Sequence, residues 1–141
     1  MFKNRLLIIV SITCLVLGTV PLAICAPSSP VSISTLYVGT PGQKQNQEYV
    51  QIKNAGTTAV NLKGWKIKDQ GNIHTYTFPS YSLKAKSTVT LRSGKGTNSA
   101  STLYWQKDIF IWNNHDPARH ENGDTAYLYN AQGQLISTKK G

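Results

Sequence analysis

The segment Glu48–Asp69, EYVQIKNAGTTAVNLKGWKIKD, decides the fold of this chain. In its first part Val50 and Ile52 alternate with polar and aromatic residues, so the two apolar side chains share one face. The β-branched and aromatic content favours a strand over a helix. The segment is therefore predicted to begin with a strand that is buried on one side.

A turn divides the segment. Asn54–Thr58 is polar and contains Gly56, which can adopt a positive φ without steric cost. The apolar alternation resumes at Val60 and Leu62. We expect a hairpin or a tight corner at this position.

A glycine interrupts the second half of the segment. Gly64 lies between Leu62 and Trp65, and a glycine within a strand pattern commonly marks a bulge or a close backbone approach. We expect a bend at Lys63 and Gly64. Beyond it Trp65 and Ile67 should point into the core.

The rest of the chain repeats this alternating pattern. No window of eleven residues shows the apolar stripe of a helix. Seven or eight short strands separated by turn signals predict an all-β, antiparallel sandwich or barrel. Beyond the opening segment, the predicted strands are Val31–Val38, His74–Phe78, Ser87–Arg92, a short one around Ile109–Ile111, Thr125–Asn130 and Gln134–Thr138.

The N-terminus has the anatomy of a secretory signal peptide. Lys3 and Arg5 precede an apolar run, Leu6–Leu17, and small residues follow near the expected cleavage site after Cys25. We predict that residues 1–25 are removed, that 26–30 form a short linker and that 31–141 form one domain, which is secreted or held at the cell surface. The only membrane contact expected is the transient one of the signal peptide.

Two other interpretations of the N-terminus stay open. Residues 6–24 could be retained as a membrane anchor, although Gly18 and Pro21 leave the apolar run short for a bilayer span. Cys25 could carry a lipid, although Ile24 is large for the residue that precedes such a cysteine. The intact mass of the exported protein distinguishes the three cases.

Cysteine content and charge constrain the domain. Both cysteines, Cys14 and Cys25, lie in the predicted signal peptide, so the domain has no disulfide, thiolate nucleophile or cysteine metal site. Removal of residues 1–25 takes away Lys3 and Arg5 and no acid. The 15 basic and 6 acidic residues of the chain therefore become 13 and 6, a net charge of +7.

The order of these segments resembles the lamin tail domain family. The resemblance covers about Val31 to Ser137. Asn113–Gly123 is longer than the corresponding segment of the family by roughly eight residues, so its role cannot be transferred. The matching residues are Glu48, Val50, Ile52, Asn54, Val60, Leu62, Gly64, Trp65, Phe78, Pro79, Gly123, Asp124, Thr125, Leu128, Tyr129 and Gly133.

The resemblance implies an immunoglobulin-like sandwich more firmly than a function. In lamins the domain binds protein partners and DNA. Prokaryotic members are often appended to exported enzymes, which suggests adhesion or targeting. Together with the signal-peptide pattern, it leads us to predict a secreted, non-catalytic, monomeric binding module without a cofactor.

One loop is the best candidate for chemistry. His115, Asp116, His120, Glu121 and Asp124 could ligate zinc or catalyse hydrolysis. A solvated polar loop explains the same residues, because this histidine spacing has no preferred geometry outside a helix. We predict no catalytic residue and no metal, and keep a small metal-binding or hydrolytic protein as the alternative.

The other acids have structural explanations. Glu48 leads into an apolar strand, and we expect its carboxylate to accept from backbone amides or to pair with a base. Asp69 and Asp124 are expected to lie at turns. No serine–histidine–aspartate arrangement, phosphate loop or dinucleotide motif is present.

The basic residues provide the predicted binding site. If the two strands of the opening segment pair, their lysines share one solvent-facing sheet surface, with the next basic residues nearby. Such a surface attracts polyanions in a salt-dependent way. The predicted binding residues are Lys53, Lys66, Lys68, Lys84, Lys86 and Arg92.

The ligand remains open at this stage. Anionic polysaccharide, extracellular DNA and a protein partner all fit a basic surface. Scattered lysines also keep a β protein soluble and protect its edge strands, so a purely structural surface protein is a further alternative. Tyr104, Trp105 and Trp112 could either anchor the core or stack on sugars or bases.

Overall fold

The computed structural model describes residues 29–39, 42–112 and 124–141. The predicted signal peptide lies outside these ranges. Within them no helix has the length and apolar character needed to cross a membrane.

The regular secondary structure of the described chain is almost entirely β-strand. A single 3₁₀ turn, Gln45–Gln47, lies between the first two. Ten strands are described, where seven or eight were predicted, because several are only two or three residues long. They are β1 (Val31–Tyr37), β2 (Tyr49–Asn54), β3 (Val60–Asn61), β4 (Lys66–Lys68), β5 (Thr75–Thr77), β6 (Ser82–Leu83), β7 (Thr88–Arg92), β8 (Thr102–Tyr104), β9 (Thr125–Tyr129) and β10 (Leu135–Lys140).

Two four-stranded sheets form the sandwich. The first has the order β1-β2-β7-β8 and the second has the order β10-β9-β4-β5, while β3 and β6 form a separate two-stranded pair. Strands β1 and β10 meet at one side of the sandwich, where the Ile33 amide donates to Ser137 Oγ at 3.0 Å. The predicted all-β, immunoglobulin-like sandwich is confirmed.

The inward faces carry the alternation that the sequence predicts. Val50 and Ile52 of β2 are fully buried, as are Val89 and Leu91 of β7 beside them. Trp65 is 9 % exposed, which confirms its predicted place in the core. The core therefore follows from the period of two residues in each strand.

The bend at Lys63 and Gly64 is also confirmed. Gly64 has a φ of +78°, a left-handed conformation that other residues rarely adopt. Its amide donates to the Phe78 carbonyl at 3.0 Å. The bend separates Leu62 from the short strand β4 and lets both Leu62 and Ile67 reach the core.

The two strands of the opening segment do not pair, contrary to the expectation of one shared sheet. Strand β2 pairs with β1 and β7, whereas β4 pairs with β5 and β9. Asn54–Thr58 is thus a corner between layers and not a hairpin. The Asn54 side chain holds this corner by donating to the Thr58 carbonyl and accepting from the Gly56 amide.

The prediction of a short strand around Ile109–Ile111 is wrong. This segment forms bends, and the strand in this region is β8, seven residues earlier than predicted. Strand β8 is parallel to β7. The polar loop before β8 covers its outer edge, because Asn98 and Ser99 accept from the amides of Tyr104 and Thr102.

Candidate ligand-binding surfaces

Glu48 is the centre of a buried hydrogen-bond network. Its carboxylate is fully buried and accepts from the amides of Ile111 and Trp112 at 2.7 and 3.0 Å. It also accepts from Ser93 Oγ and from the Gly39 amide. The expectation that Glu48 binds backbone amides is confirmed, and its role is to join three separate segments.

Two opposing effects act on the Glu48 carboxylate. Burial raises the pKa of Glu48 above its ordinary value. The hydrogen bonds from Ser93, Ile111, Trp112 and Gly39 stabilise the ionised form and offset part of this rise. The network therefore supports the fold and leaves no carboxylate oxygen facing solvent.

Asp69 and Asp124 are also turned inward, with exposures of 3 % and 0 %. Asp69 accepts from the backbone amide of His74 and contacts its Nδ1 at 2.8 Å, which confirms the predicted turn. Asp124 Oδ1 accepts from the amides of Gln70 and Thr125. Both carboxylates therefore hold the nearby backbone in place by accepting hydrogen bonds from its amides.

The remaining described acid is exposed but paired. Asp108 Oδ2 lies 2.5 Å from Lys95 Nζ. Every described lysine except Lys68 is exposed, and Lys68 and Arg92 are half-buried. Most carboxylates of the described residues lie in the interior, whereas most of the lysines are exposed. The surface is thus much more positive than the numbers of basic and acidic residues in the sequence suggest.

The outer face of the second sheet combines lysines with tyrosines. Lys66 lies opposite Tyr129 and Lys68 lies opposite Tyr127 across the β4–β9 pair. Lys68 Nζ lies 5.2 Å from the centroid of the Tyr129 ring, within the range of a cation–π contact. We call this surface the lysine–tyrosine face, formed by Lys66, Lys68, Tyr127, Tyr129 and Lys140.

No acid interrupts the lysine–tyrosine face. The four strands β4, β5, β9 and β10 contain no aspartate or glutamate. Lys140 extends the positive charge along β10, where it pairs with Thr125. Lys66 and Lys68 form no ion pair with any described residue.

The outer face of the first sheet is organised differently. The rings of Tyr37 and Tyr49 stack with centroids 5.3 Å apart, and the Arg92 guanidinium, on the strand at the other side of β2, lies 5.4 Å from the centroid of the Tyr49 ring. Arg92 Nη1 also donates to the Asn46 carbonyl. These three side chains contact one another through the Tyr49 ring and the Arg92 guanidinium. They therefore contribute to packing more than to a free ligand surface.

The six predicted binding residues do not form one surface. Lys66 and Lys68 lie on the second sheet, whereas Lys53 and Arg92 lie on opposite ends of the first. Lys84 and Lys86 belong to the turn between β6 and β7. Lys86 Nζ donates to the Ala55 carbonyl at 2.6 Å. The single basic face that the sequence predicted is therefore replaced by separate groups, because its two strands belong to different layers.

The aromatic residues of the long apolar segment serve the core. Trp105 and Trp112 are 5 % and 0 % exposed, and their rings meet edge to face at 5.6 Å. Tyr104 is half-buried with its ring against Gly96. Burial excludes stacking of a ligand on the two tryptophans. The sequence signal that points to the surface tyrosines instead is the alternation in β9, where Ala126 and Leu128 take the inward positions.

The predicted alternative site at His115–Asp124 lies outside the described residues, apart from Asp124. Within the described ranges no group of three histidine, cysteine, aspartate or glutamate side chains is placed to hold a metal ion.

Two packed, mainly antiparallel sheets, a mainly apolar interior and lysine-rich outer faces define an immunoglobulin-like β-sandwich module. The chain matches the family model of the Lamin Tail Domain over residues 26–140 and belongs to that family. The family resemblance inferred from the sequence is confirmed. The family is one of non-enzymatic immunoglobulin-like domains. A search of curated proteins found no match.

Proposed function

We propose that this chain is an exported, non-catalytic module that binds an anionic polysaccharide through the lysine–tyrosine face. The observation that carries the proposal is the inward orientation of the acids: Glu48, Asp69 and Asp124 are buried, so the outer sheet faces carry lysine charge without compensation. Export rests on the signal-peptide pattern of residues 1–25.

The face suits a polymer with repeated negative charge. Lys66 and Lys68 are two positions apart on one strand, which places their Cα atoms about 7 Å apart along it. Each is free of ion pairs within the described residues, so binding requires no salt bridge to break. Tyr127 and Tyr129 add half-buried rings beside the lysines, and such rings can pack against sugars while their hydroxyls remain hydrated.

The test compares two double variants that lose the same charge. Lys66→Gln/Lys68→Gln removes the centre of the lysine–tyrosine face, and Lys44→Gln/Lys107→Gln removes two exposed lysines elsewhere. In fluorescence anisotropy with labelled heparin at about 0.15 M salt, we expect the first variant to lose about tenfold in affinity and the control to lose much less.

Two results would contradict the proposal. Equal losses of heparin affinity in both variants would show that heparin is attracted to the net charge of the protein and not to a defined face. The protein could instead bind single-stranded DNA of matched charge density more tightly than heparin, and lose this preference in Lys66→Gln/Lys68→Gln. That result would keep the lysine–tyrosine face as the binding site and identify its ligand as nucleic acid. Circular dichroism of each variant would establish that the sandwich is intact.

A further inference from the structure

A second candidate site lies at the end of the first sheet. A cleft of about 270 Å³ opens between the β6–β7 turn and the segment Ala100–Ser101. We call it the hydroxyl cleft, because most of its lining side chains carry hydroxyl groups. Its polar lining residues are Tyr81, Ser82, Lys84, Ser87, Thr88 and Ser101.

The wall that contains Lys84 is held firmly. The fully buried Asn54 side chain donates to the carbonyls of Leu83 and Lys84 at 3.1 and 3.2 Å. Ser87 Oγ donates to the same Lys84 carbonyl at 2.7 Å. These contacts fix the turn before any ligand arrives, which reduces the entropic cost of binding.

The opposite wall is tied to the first. The Tyr81 hydroxyl donates to the Ala100 carbonyl at 2.6 Å, across the cleft. The Thr90 amide donates to the Ser101 carbonyl at 2.9 Å and so joins this wall to β7. The Tyr81 hydroxyl is protonated and a donor at neutral pH, and burial raises its pKa further above neutrality.

Several polar groups in the cleft are available to a ligand. The hydroxyls of Ser82, Thr88 and Ser101 make no hydrogen bond with the described residues; Ser101 donates only its backbone amide. Lys84 Nζ has no carboxylate partner among them. Lys53 lies directly across from Thr88 on the neighbouring strand.

We propose that the hydroxyl cleft binds one acidic sugar residue, a hexuronic acid, as a free sugar or as a unit of a polysaccharide. Its carboxylate would pair with Lys84, its hydroxyls would bond to Thr88, Ser82 and Ser101, and the Tyr81 ring would pack against its C–H face. The volume is below the roughly 300–1,000 Å³ of sites for larger ligands, which limits the occupant to about one sugar unit. The site is separate from the lysine–tyrosine face and does not depend on it.

The test is titration of the isotopically labelled protein with glucuronic acid, in which amide chemical shifts are measured. We expect saturable shifts at Lys84–Thr88 and Ala100–Ser101 and weaker binding of neutral glucose. Lys84→Gln should lower the affinity about tenfold, because one charge-assisted contact is lost. Lys66→Gln on the other sheet is the matched control and should change nothing.

A second pair of variants tests the hydroxyl contacts. Thr88→Val removes the hydroxyl at nearly constant shape and should weaken binding several-fold, whereas Thr77→Val on the second sheet should have no effect. Absence of saturable shifts in the wild type, equal binding of glucose, or unchanged affinity in Lys84→Gln would each overturn the proposal. Binding of glucuronic acid but not of a glucuronic acid oligosaccharide would assign the cleft to the free sugar. Dextran sulfate is a polyanion without hexuronic acid, so its binding through the lysine–tyrosine face would be unaffected by Lys84→Gln, and the two proposals can fail separately.

Discussion

Replacement of Glu48 by alanine is expected to lower the free energy of unfolding by about 3 kcal/mol or more. The carboxylate accepts from four donors that it alone pairs, in a site without solvent. Alanine leaves the amides of Ile111 and Trp112 buried without their partner. Each such group costs about 1–3 kcal/mol. Chemical denaturation followed by tryptophan fluorescence measures the loss.

Glu48→Gln is the matched control, since it keeps the size and one acceptor oxygen. It should cost less than Glu48→Ala and should also change the pH dependence of stability. Because the folded pKa of Glu48 is raised, the folded state binds more protons than the unfolded state above about pH 4.5, and stability falls as pH rises toward the folded pKa. Glu48→Gln should remove this component. Equal stability of Glu48→Ala and the wild type would contradict the role assigned to the network.

Replacement of Trp112 by alanine is expected to cost about 3–5 kcal/mol. The side chain is fully buried and packs edge to face against Trp105. Its removal leaves a cavity next to the residues that bind Glu48, where the Ile111 and Trp112 amides are anchored. Thermal unfolding by calorimetry provides the measurement.

Trp112→Phe separates packing from hydrogen bonding. Trp112 Nε1 has no hydrogen-bond partner within the described residues, so phenylalanine removes no bond there and retains most of the ring contact. We expect this variant to lose far less stability than Trp112→Ala. Similar losses in the two variants would mean that the indole makes a specific contact that packing does not explain.

The inward faces of the strands could be predicted from the sequence because alternation follows directly from strand geometry. Val50, Ile52, Trp65 and Ile67 are all buried as expected. Which strands pair could not be predicted this way, since the same alternation fits a partner in either layer. The sequence therefore predicted either a hairpin or a tight corner at Asn54–Thr58 and could not decide between them.

The candidate site was predictable only in part. The lysines on β4 and their outward phase were evident from the sequence, and so was the special position of Glu48. The sequence did not reveal that most of the described acids are buried, because an aspartate at a turn is usually exposed and Asp69 is not. It also did not bring Tyr127 and Tyr129 beside Lys66 and Lys68, because their contact depends on the pairing of β4 with β9.

The same limit applies to the hydroxyl cleft. Its walls come from the β6–β7 turn and from Ala100–Ser101, which are joined by the hydrogen bonds from Tyr81 to the Ala100 carbonyl and from Thr90 to the Ser101 carbonyl. Serine-rich turns in a sequence predict loops and carry no information about which loops meet. In the sequence, only Asn54 pointed to this region, because it is a polar residue at an inward position of a strand.

The salt dependence of heparin binding by the wild-type domain tests the central claim most directly. If the buried acids leave the lysine–tyrosine face uncompensated, the logarithm of the association constant should fall linearly and steeply with the logarithm of salt concentration. The slope should become shallower in Lys66→Gln/Lys68→Gln and stay unchanged in Lys44→Gln/Lys107→Gln. A wild-type slope near zero, or the same slope in all three proteins, would contradict the account.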